Sequence, residues 1–560
     1  MSGWLVKRTN PDFINYIAHH AAVSPVLAQV LVNRGINSPE RARAFLNPDL
    51  GTMTDPFSLP DMDRAVDRIR KAAAAGEKVL IHGDYDADGI TATTILILAL
   101  RKLGIPCDYF IPNRFDHGYG FNREAINLAA RTGASLIITV DCGINSFDEV
   151  HESTLRGIDV IVTDHHEPSL DKSGSCVIPA ACAVVNPKRI AGNPIPLCGA
   201  GIALKLARAL LGNEQTLEFF DLAALGTVAD MVPLLEDNRA IVKTGLDLIN
   251  AGSRTAIAFL REAASIEDRT ITSGRLSYTI IPRINASGRV GEASDVVKFF
   301  LSEDRDEAFQ LARKLNSNNS QRYRIEDSVF HEALAMLKEK SSSHCIVLAG
   351  ENWHEGVIGI VASKIADMFN RPTYIFSIKQ NIARGSARSI PSFDVCRALS
   401  LCSDCLIRYG GHKQAAGLTM DPGLIPEFEK RMNEIFAATL DQSDLKPLLL
   451  IDAEVSLRDV NFPFIRELAK IEPFGFGNEE PLFAAKNLAV IEPRIVGKNH
   501  LKMKLKHSSY ALDAIGFDMG DRYESLESSG TVDAVFVPGI NEWNGGRVLQ
   551  LTVRAIRPSM

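Results

Sequence analysis

Val79-Leu80-Ile81-His82-Gly83-Asp84-Tyr85-Asp86-Ala87-Asp88-Gly89-Ile90 starts as a short apolar run, turns at a glycine and delivers a histidine and three acids to the head of an apolar segment. Two later runs behave alike: Ile137-Ile138-Thr139-Val140 ends at Asp141-Cys142-Gly143, and Val160-Ile161-Val162-Thr163 ends at Asp164-His165-His166. None of the three alternates polar with apolar, which is how a strand covered on both faces of a parallel sheet reads. Helical stretches separate them, over Ile90 to Leu103, Phe121 to Ala130 and Phe147 to Leu155. The order β-α-β-α-β predicts an α/β domain with a doubly wound, mostly parallel sheet. Ligands of such sheets bind beyond the carboxyl ends of the strands, where these acids and histidines fall.

Their number dictates the chemistry. Two carboxylates ~4 Å apart repel by roughly 4 kcal/mol at an effective dielectric near 20, so a crowd of them takes up protons or metal. Carboxylate with imidazole suits Mn²⁺, and Mg²⁺ fits as well. The candidate ligands are His82, Asp84, Asp86, Asp88, Asp141, His165 and, from Ala229-Asp230, Asp230. That set exceeds what one small ion takes and suits two divalent ions ~3.5 to 4 Å apart sharing a carboxylate and a water. Asp141, alone at the end of a central strand, is the expected bridge. A calcium loop starting at Asp84 would need a bidentate Glu at its twelfth position, and Ile95 stands there.

The spacing His82-x3-Asp86-x-Asp88, together with Asp141, the Asp164-His165-His166 triplet and Asp230, resembles the DHH phosphoesterase superfamily. Those motifs alone would also fit pyrophosphatases and small-nucleotide phosphodiesterases. Further segments narrow the likeness: PNRF (112–115) with GYG (118–120), AALGTVADMVP (223–233), PRINASGR (282–289), WHEGVIG (353–359), RGSARS (384–389), GGHKQAAG (410–417) and EPFGFGN (472–478). Together they resemble a bacterial family of single-strand-specific DNA exonucleases over nearly the whole chain. The resemblance implies removal of 5′-mononucleotides from the 5′ end of single-stranded DNA, in recombination and repair. It places Arg114, Ser386 and Arg388 on the 5′-terminal phosphate, Gly411 and His412 at the scissile phosphate, and an Arg283, Asn285, Arg289 loop against the nucleic acid. Asp141, His165, His166 and His412 are the catalytic candidates, with His166 or His412 as proton donor to the leaving oxygen.

The resemblance also organises the chain: a helical lead-in at 1–50, a DHH metal-binding domain at 51–300, a connecting helix at 301–340, a second α/β domain of DHHA1 type at 341–445, and a β-barrel of oligonucleotide-binding (OB) type at 446–560. Asn316-Ser-Asn-Asn-Ser320 interrupts the helical spacing of the connector and suggests a bend or two helices. Ser341-Ser-Ser-His344 reads as a linker. Lys498, His500, Lys502, Lys504 and Lys506 alternate with Asn499, Leu501, Met503 and Leu505, so a strand there presents a basic face with no acid between its lysines. Lys498, Lys502 and Lys504 are therefore candidate backbone contacts of a single strand. Tyr119, Phe121 and Trp543 are aromatics that could stack on bases or pack in a core.

At 560 residues and 46% hydrophobic the chain is long enough for three to four cores. The net charge of −7, from 61 basic and 68 acidic residues, argues against a protein that coats nucleic acid nonspecifically, although local patches survive inside it. Nine scattered cysteines make no disulfide framework. Cys402-x2-Cys405 lacks a second pair for zinc and falls in an apparent helix over Val395 to Leu406. The apolar stretch at Ile95 to Leu100 is too short to span a membrane, and Met1-Ser-Gly-Trp-Leu-Val-Lys-Arg8 lacks a secretory apolar region. A cytoplasmic monomer is expected, working with a single-strand-binding protein and a helicase of RecQ type. Two rival classes remain at this stage: a phosphodiesterase for short oligonucleotides or signalling dinucleotides, and a noncatalytic replication-factor relative, which would have lost ligands that are all present here.

Overall fold

A computed structural model describes residues 3–114, 118, 120–171, 173–190, 196–339, 344–440, 448–527, 530–543 and 546–559, without the side chains of residues 339, 525, 527, 542 and 543. Phe115, Tyr119, most of the 341–344 linker and the Trp543 side chain thus lie outside the described residues. The chain divides into two compact units, one of Trp4–Ile281, Val297–Ala308 and Leu450–Met560, the other built mainly from Pro282–Val296 and Phe309–Leu449.

In the first unit, β1 (Lys78–His82), α1 (Ala87–Lys102), β2 (Cys107–Phe110), α2 (Arg123–Thr132), β3 (Ala134–Val140), α3 (Phe147–Leu155), β4 (Asp159–Thr163) and β5 (Ala183–Val185) follow one another. The five strands run in the order β2-β1-β3-β4-β5, and every pairing is parallel. Leu80, Ile137, Val160, Val162 and Val184 pack one face against Ala125, Ile126 and Ala129 of α2 and Val150 of α3. α1 and α4 (Gly199–Leu211) lie against the other face, α5 (Phe220–Ala229) packs on both, and α6 (Glu236–Ala251) packs on α5. Burial on both faces is why these strands carry no polar alternation.

The lead-in is not a core of its own. Its helices Pro11–Ala21, Pro25–Asn33 and Pro39–Leu46 put Ile17, Leu27, Leu31 and Phe45 into one apolar cluster with Phe483, Leu501, Met503, Leu505 and Phe536 of the C-terminal barrel. Each helix opens with an Asn or Ser cap followed by proline, a start signal that comes round often enough for three short helices to stack.

The second unit holds α7 (Ile281–Val290, from Pro282 on), α8 (Arg305–Glu339, from Phe309 on) and a five-stranded mixed sheet. The sheet comprises β6 (Ile346–Glu351), β7 (Thr373–Lys379), β8 (Ile382–Arg388), β9 (Leu406–His412) and β10 (Ala415–Met420), flanked by α9 (Glu355–Phe369) and α10 (Ile425–Thr439). Three expectations change here. α8 runs unbroken through Asn316–Ser320, because Asn316, Asn318 and Asn319 spend their amides on Arg283, Ser287 and Arg322 rather than on their own backbone. Arg283, Asn285 and Arg289 lie on the helix α7, not in a loop. The helix expected over Val395 to Leu406 stops at Ser400; a 3₁₀ turn, Ser403–Cys405, follows, and Leu406 opens β9.

The C-terminal barrel closes through β11 (Phe483–Val496), β12 (His500–His507), β13 (Tyr510–Gly516), β15 (Gly546–Pro558) and β14 (Val532–Trp543), which pairs back with β11. Leu501, Met503 and Leu505 of β12 are buried inside, and Lys502, Lys504 and Lys506 point outward, as the alternation requires. Lys498 sits in the turn before β12 rather than on it.

Candidate active site

The sheet order reverses between β1 and β3, and the acids gather at that point. Asp86 caps α1 by accepting from the amides of Asp88 at 2.9 Å and Gly89 at 3.1 Å. Asp88, in the first turn, receives Gly199 N on Oδ2 at 2.6 Å and Ala200 N on Oδ1 at 2.8 Å. It is thus held between the amino ends of α1 and α4, where a carboxylate is favoured. Asp141 follows β3 with φ at 61°, a left-handed conformation that costs a non-glycine residue about 1 kcal/mol or more. Asp164 accepts from the amides of Ile144, His165 and His166 and from His166 Nδ1 at 2.7 Å. These bonds tie both its oxygens to protein, so it shapes the triplet instead of offering a ligand. Asp230 caps the end of α5.

Three sets of ligand atoms lie within 4.8 Å of one another: Asp84, Asp86 and Asp141; Asp141, His165 and His166; and Asp88, His165 and Asp230. Asp141 joins the first two sets and His165 the last two, with His165 Nε2 3.0 Å from Asp141 Oδ1 and 3.8 Å from Asp88 Oδ2, and its Nδ1 3.6 Å from Asp230 Oδ2. His82 was expected among the ligands but joins none of these sets among the described residues. Its Nδ1 lies 3.5 Å from Cys142 Sγ, and its ring is walled by Phe110 and Phe121. Phe121 is accordingly a packing residue, not a base-stacking one.

The residues fit a pair of divalent ions. Asp84 Oδ1 and Asp141 Oδ1 are buried with no hydrogen-bond donor among the described residues; the 3.0 Å approach of His165 to the latter lacks hydrogen-bond geometry. Burial, then the charge of Asp86, pushes Asp84 well above the ordinary aspartate value. Burial, then Asp88, Asp86, Asp84 and Asp230, does the same to Asp141. Burial followed by neighbouring carboxylates raises Asp88 to about 6 and Asp230 to about 8. His165 is lowered to about 3 by burial and by His166, so its ring stays neutral and keeps a lone pair. Carboxylates starved of positive charge beside a neutral imidazole are what hard divalent cations satisfy.

Arg114 stands beside this cluster, its guanidinium 5.3 Å from the Tyr85 ring and its charge acting on Asp84. In the second unit, β8 alternates: Arg384, Ser386 and Arg388 share one face, while Gly385 and Ala387 turn inward, a Cβ at Gly385 meeting the Phe376 ring at 2.6 Å. Arg388 Nη1 donates to Ser386 Oγ at 3.0 Å, and both groups lie over Gly359 in the first turns of α9. Arg384 is instead paired with Glu355 at 2.9 Å. His412 is exposed at the end of β9, and Gly411 before it has φ at 147°, with room for a Cβ denied by Ala415 O at 2.4 Å. Arg283 Nε donates to Asn316 Oδ1 at 2.9 Å and Arg289 Nη1 to Gly356 O at 2.9 Å, so both pin α7 to its neighbours. On the barrel, Lys502 stands opposite Arg494, but Lys504 stands opposite Asp513, an acid supplied by β13 that the β12 sequence does not contain.

Three family profiles match the chain: the DHH family N-terminal domain over residues 78–227, the DHHA1 domain over 342–438 and the RecJ OB domain over 451–555. A Bacillus subtilis protein described as single-stranded-DNA-specific exonuclease RecJ is 37% identical over 559 residues, 98% of this chain and 70% of that protein. The chain belongs to the RecJ family. Two crystal structures of RecJ from Thermus thermophilus align with all of it. The one in complex with Mn²⁺ has a TM-score of 0.87 at 32% identity, with 80% of that chain covered. The one in complex with Mg²⁺ has a TM-score of 0.80 at 31% identity, with 79% covered.

Several residues that shape this RecJ-family site were not singled out from the sequence. Gly199 is one: a Cβ there would lie 2.6 Å from Asp141 Cβ and 3.0 Å from Asp88 Oδ2. Gly226 is another, its Cβ position being 2.6 Å from Asp88 Oδ1 and 2.5 Å from Ala200 Cβ. Asn186, fully buried, donates to His166 O at 3.0 Å. The only sequence signal for the first was the small-residue run Gly199-Ala-Gly201 after Cys198, which caps α4.

Proposed function

We infer that this chain is a metal-dependent hydrolase that removes 5′-mononucleotides from the 5′ end of single-stranded DNA, in recombination and repair. One observation carries the reading: ligand sets that share Asp141 and His165 occur in a chain whose likeness to RecJ proteins runs through all three domain types. Two divalent ions, Mn²⁺ or Mg²⁺, would supply Lewis acidity at the phosphate and a hydroxide at neutral pH.

The protein's own groups do the rest. Asp84, Asp86, Asp88, Asp141, His165 and Asp230 hold the ions, with Asp141 common to two of the sets. His82, whose Nδ1 faces Cys142, joins them as a ligand through its other ring nitrogen. His166, which burial makes harder to charge, is raised above the ordinary histidine value by its hydrogen bond to Asp164 and is the first candidate to give the leaving 3′-oxygen a proton. His412 is the alternative donor. Arg114, Ser386 and Arg388 serve the 5′-terminal phosphate, Gly411 and His412 the scissile phosphate, and Arg283 and Arg289 the nucleic acid next to it. Lys498, Lys502 and Lys504 follow the backbone on the barrel.

The domain division proposed is the one expected from the sequence, with the lead-in reassigned to the barrel's core. The enzyme works as a cytoplasmic monomer with a single-strand-binding protein and a RecQ-type helicase. Among the described residues no helix is long and apolar enough to cross a membrane.

The test uses single and double strands labelled at the 5′ or 3′ end, with Mn²⁺, Mg²⁺ or chelator. Labelled mononucleotide must leave the 5′-labelled single strand at the earliest times. Early release from the 3′ label, or release of dinucleotides, refutes the reading.

A further inference from the structure

The barrel carries an exposed aromatic ring where its basic face ends. On β12 the outward residues are His500 and Lys502; their partners on β11 are Val496 and Arg494, and on β13 Lys502 faces Ile515. Continuing the alternation past β13 turns Gly516 inward and Phe517 outward, beside His500. Phe517 is 53% exposed, and its ring meets the His500 ring edge-on with centroids 5.2 Å apart. Exposed Arg494 stands on the same face opposite Lys502, and exposed Lys498 lies in the turn just before His500.

The frame under this ring is rigid. Gly520 N donates to Asn499 O at 3.0 Å, and a Cβ at Gly520 would lie 2.2 Å from Asn499 Oδ1. Gly497, in the β11-β12 turn, has φ at 61°, and a Cβ there would lie 3.2 Å from the His500 ring. Asp518 N donates to His500 Nδ1 at 3.1 Å, fixing the imidazole from behind, and the exposed Asp518 carboxylate stands 3.5 Å from that nitrogen. A lone exposed phenylalanine is ordinary. One locked in the open by two close-packed turns, with cations on the same face, has the make-up of a single-strand platform, where phosphates meet charge and bases meet a ring.

We propose that Phe517, backed by His500, is the base-stacking residue of the barrel, holding a nucleobase of single-stranded DNA whose phosphates lie on Arg494, Lys498 and Lys502. The proposal rests on the single-strand reading above and adds the residue that reads the bases without choosing among them. Every base has a π face, so the platform is sequence-tolerant.

The full-length protein is mixed with a fluorescein-labelled oligothymidylate in chelator, and anisotropy reports binding without hydrolysis. Phe517→Ala and Phe517→Leu each weaken binding about ten-fold or more, whereas Phe517→Trp binds as wild type and its fluorescence is quenched by the DNA. Heparin, which offers charge and no base, binds wild type and Phe517→Ala equally. Unchanged DNA affinity in the Ala and Leu variants overturns the proposal. So does a heparin loss parallel to the DNA loss, which would mean the turn had simply collapsed. Because no cleavage is read, failure of the exonuclease assay and failure of the platform remain separate results.

Discussion

Replacing Asp141 by asparagine should make the metal-free protein more stable and the metal-loaded protein inert. Asp84, Asp86 and Asp141 place carboxylate oxygens within 4.8 Å of each other, a separation at which each ionised pair costs about 3.5 kcal/mol at an effective dielectric of 20. Asp141 avoids that repulsion by holding its proton, since burial and four neighbouring acids raise it well above 3.8. A carboxyl that is protonated when folded and ionised when unfolded loses stability as pH rises above its unfolded value. At about 1.4 kcal/mol per unit, the penalty reaches at most about 4 kcal/mol near pH 7. Asparagine removes it but buries an amide donor, which costs about 1 to 3 kcal/mol if unmatched. The net expectation is a gain of about 1 to 3 kcal/mol in chelator at pH 7 that fades toward pH 4. Saturating Mn²⁺ should stabilise the wild type by about 2.7 kcal/mol at a hundred-fold excess over its Kd, and the variant far less. Denaturation melts in chelator and in Mn²⁺, at both pH values, read all of this. A variant less stable than wild type in chelator at pH 7, or one that gains as much from Mn²⁺, would refute the crowding argument.

Three further outcomes follow from single residues. Arg239→Ala should cost about 4 kcal/mol or more in thermal or denaturant unfolding of the barrel and lead-in, because the fully buried guanidinium donates to the carbonyls of Phe45, Lys470, Ile471 and Glu472 and lies 3.9 Å from the Phe45 ring. A loss under 1 kcal/mol would show that these carbonyls find other donors. Gly199→Ala should reduce hydrolysis about a hundred-fold and cost about 1 to 3 kcal/mol of stability, since a Cβ there lies 2.6 Å from Asp141 Cβ and 3.0 Å from Asp88 Oδ2 and displaces both acids; near-normal kcat argues against it. Glu77 lies below the ordinary glutamate value through the hydroxyl of Ser135 and then Arg68, so its contribution is complete above that range and lost as pH falls through the depressed value. Glu77→Gln should therefore lower the melting temperature at pH 7 and converge with wild type near pH 3; a difference that widens on acidification contradicts this sign.

The metal cluster was readable because strand ends in a parallel sheet are set by local pattern. Runs such as Val79–Ile81 and Val160–Thr163 cannot be covered on one face only, and whatever follows them must project from the carboxyl edge. The basic face of β12 was legible for the same reason, as period two survives any packing. What failed depended on partners. The Asn316–Ser320 stretch looks like a break until Arg283 and Ser287 are found to take its amides. Cys402 to Leu406 looked helical until β9 needed its first residue.

Sequence alone therefore determined the chemistry at the strand ends, since crowded carboxylates and imidazoles have few stable outcomes whatever surrounds them. Tertiary structure decided which of them meet. It set His82 Nδ1 beside Cys142, tied Asp164 to protein donors, set Gly199 and Gly226 against the acids, and placed Phe517 on the open face of the barrel. Those choices turn on contacts between residues far apart in the chain, and no local period encodes them.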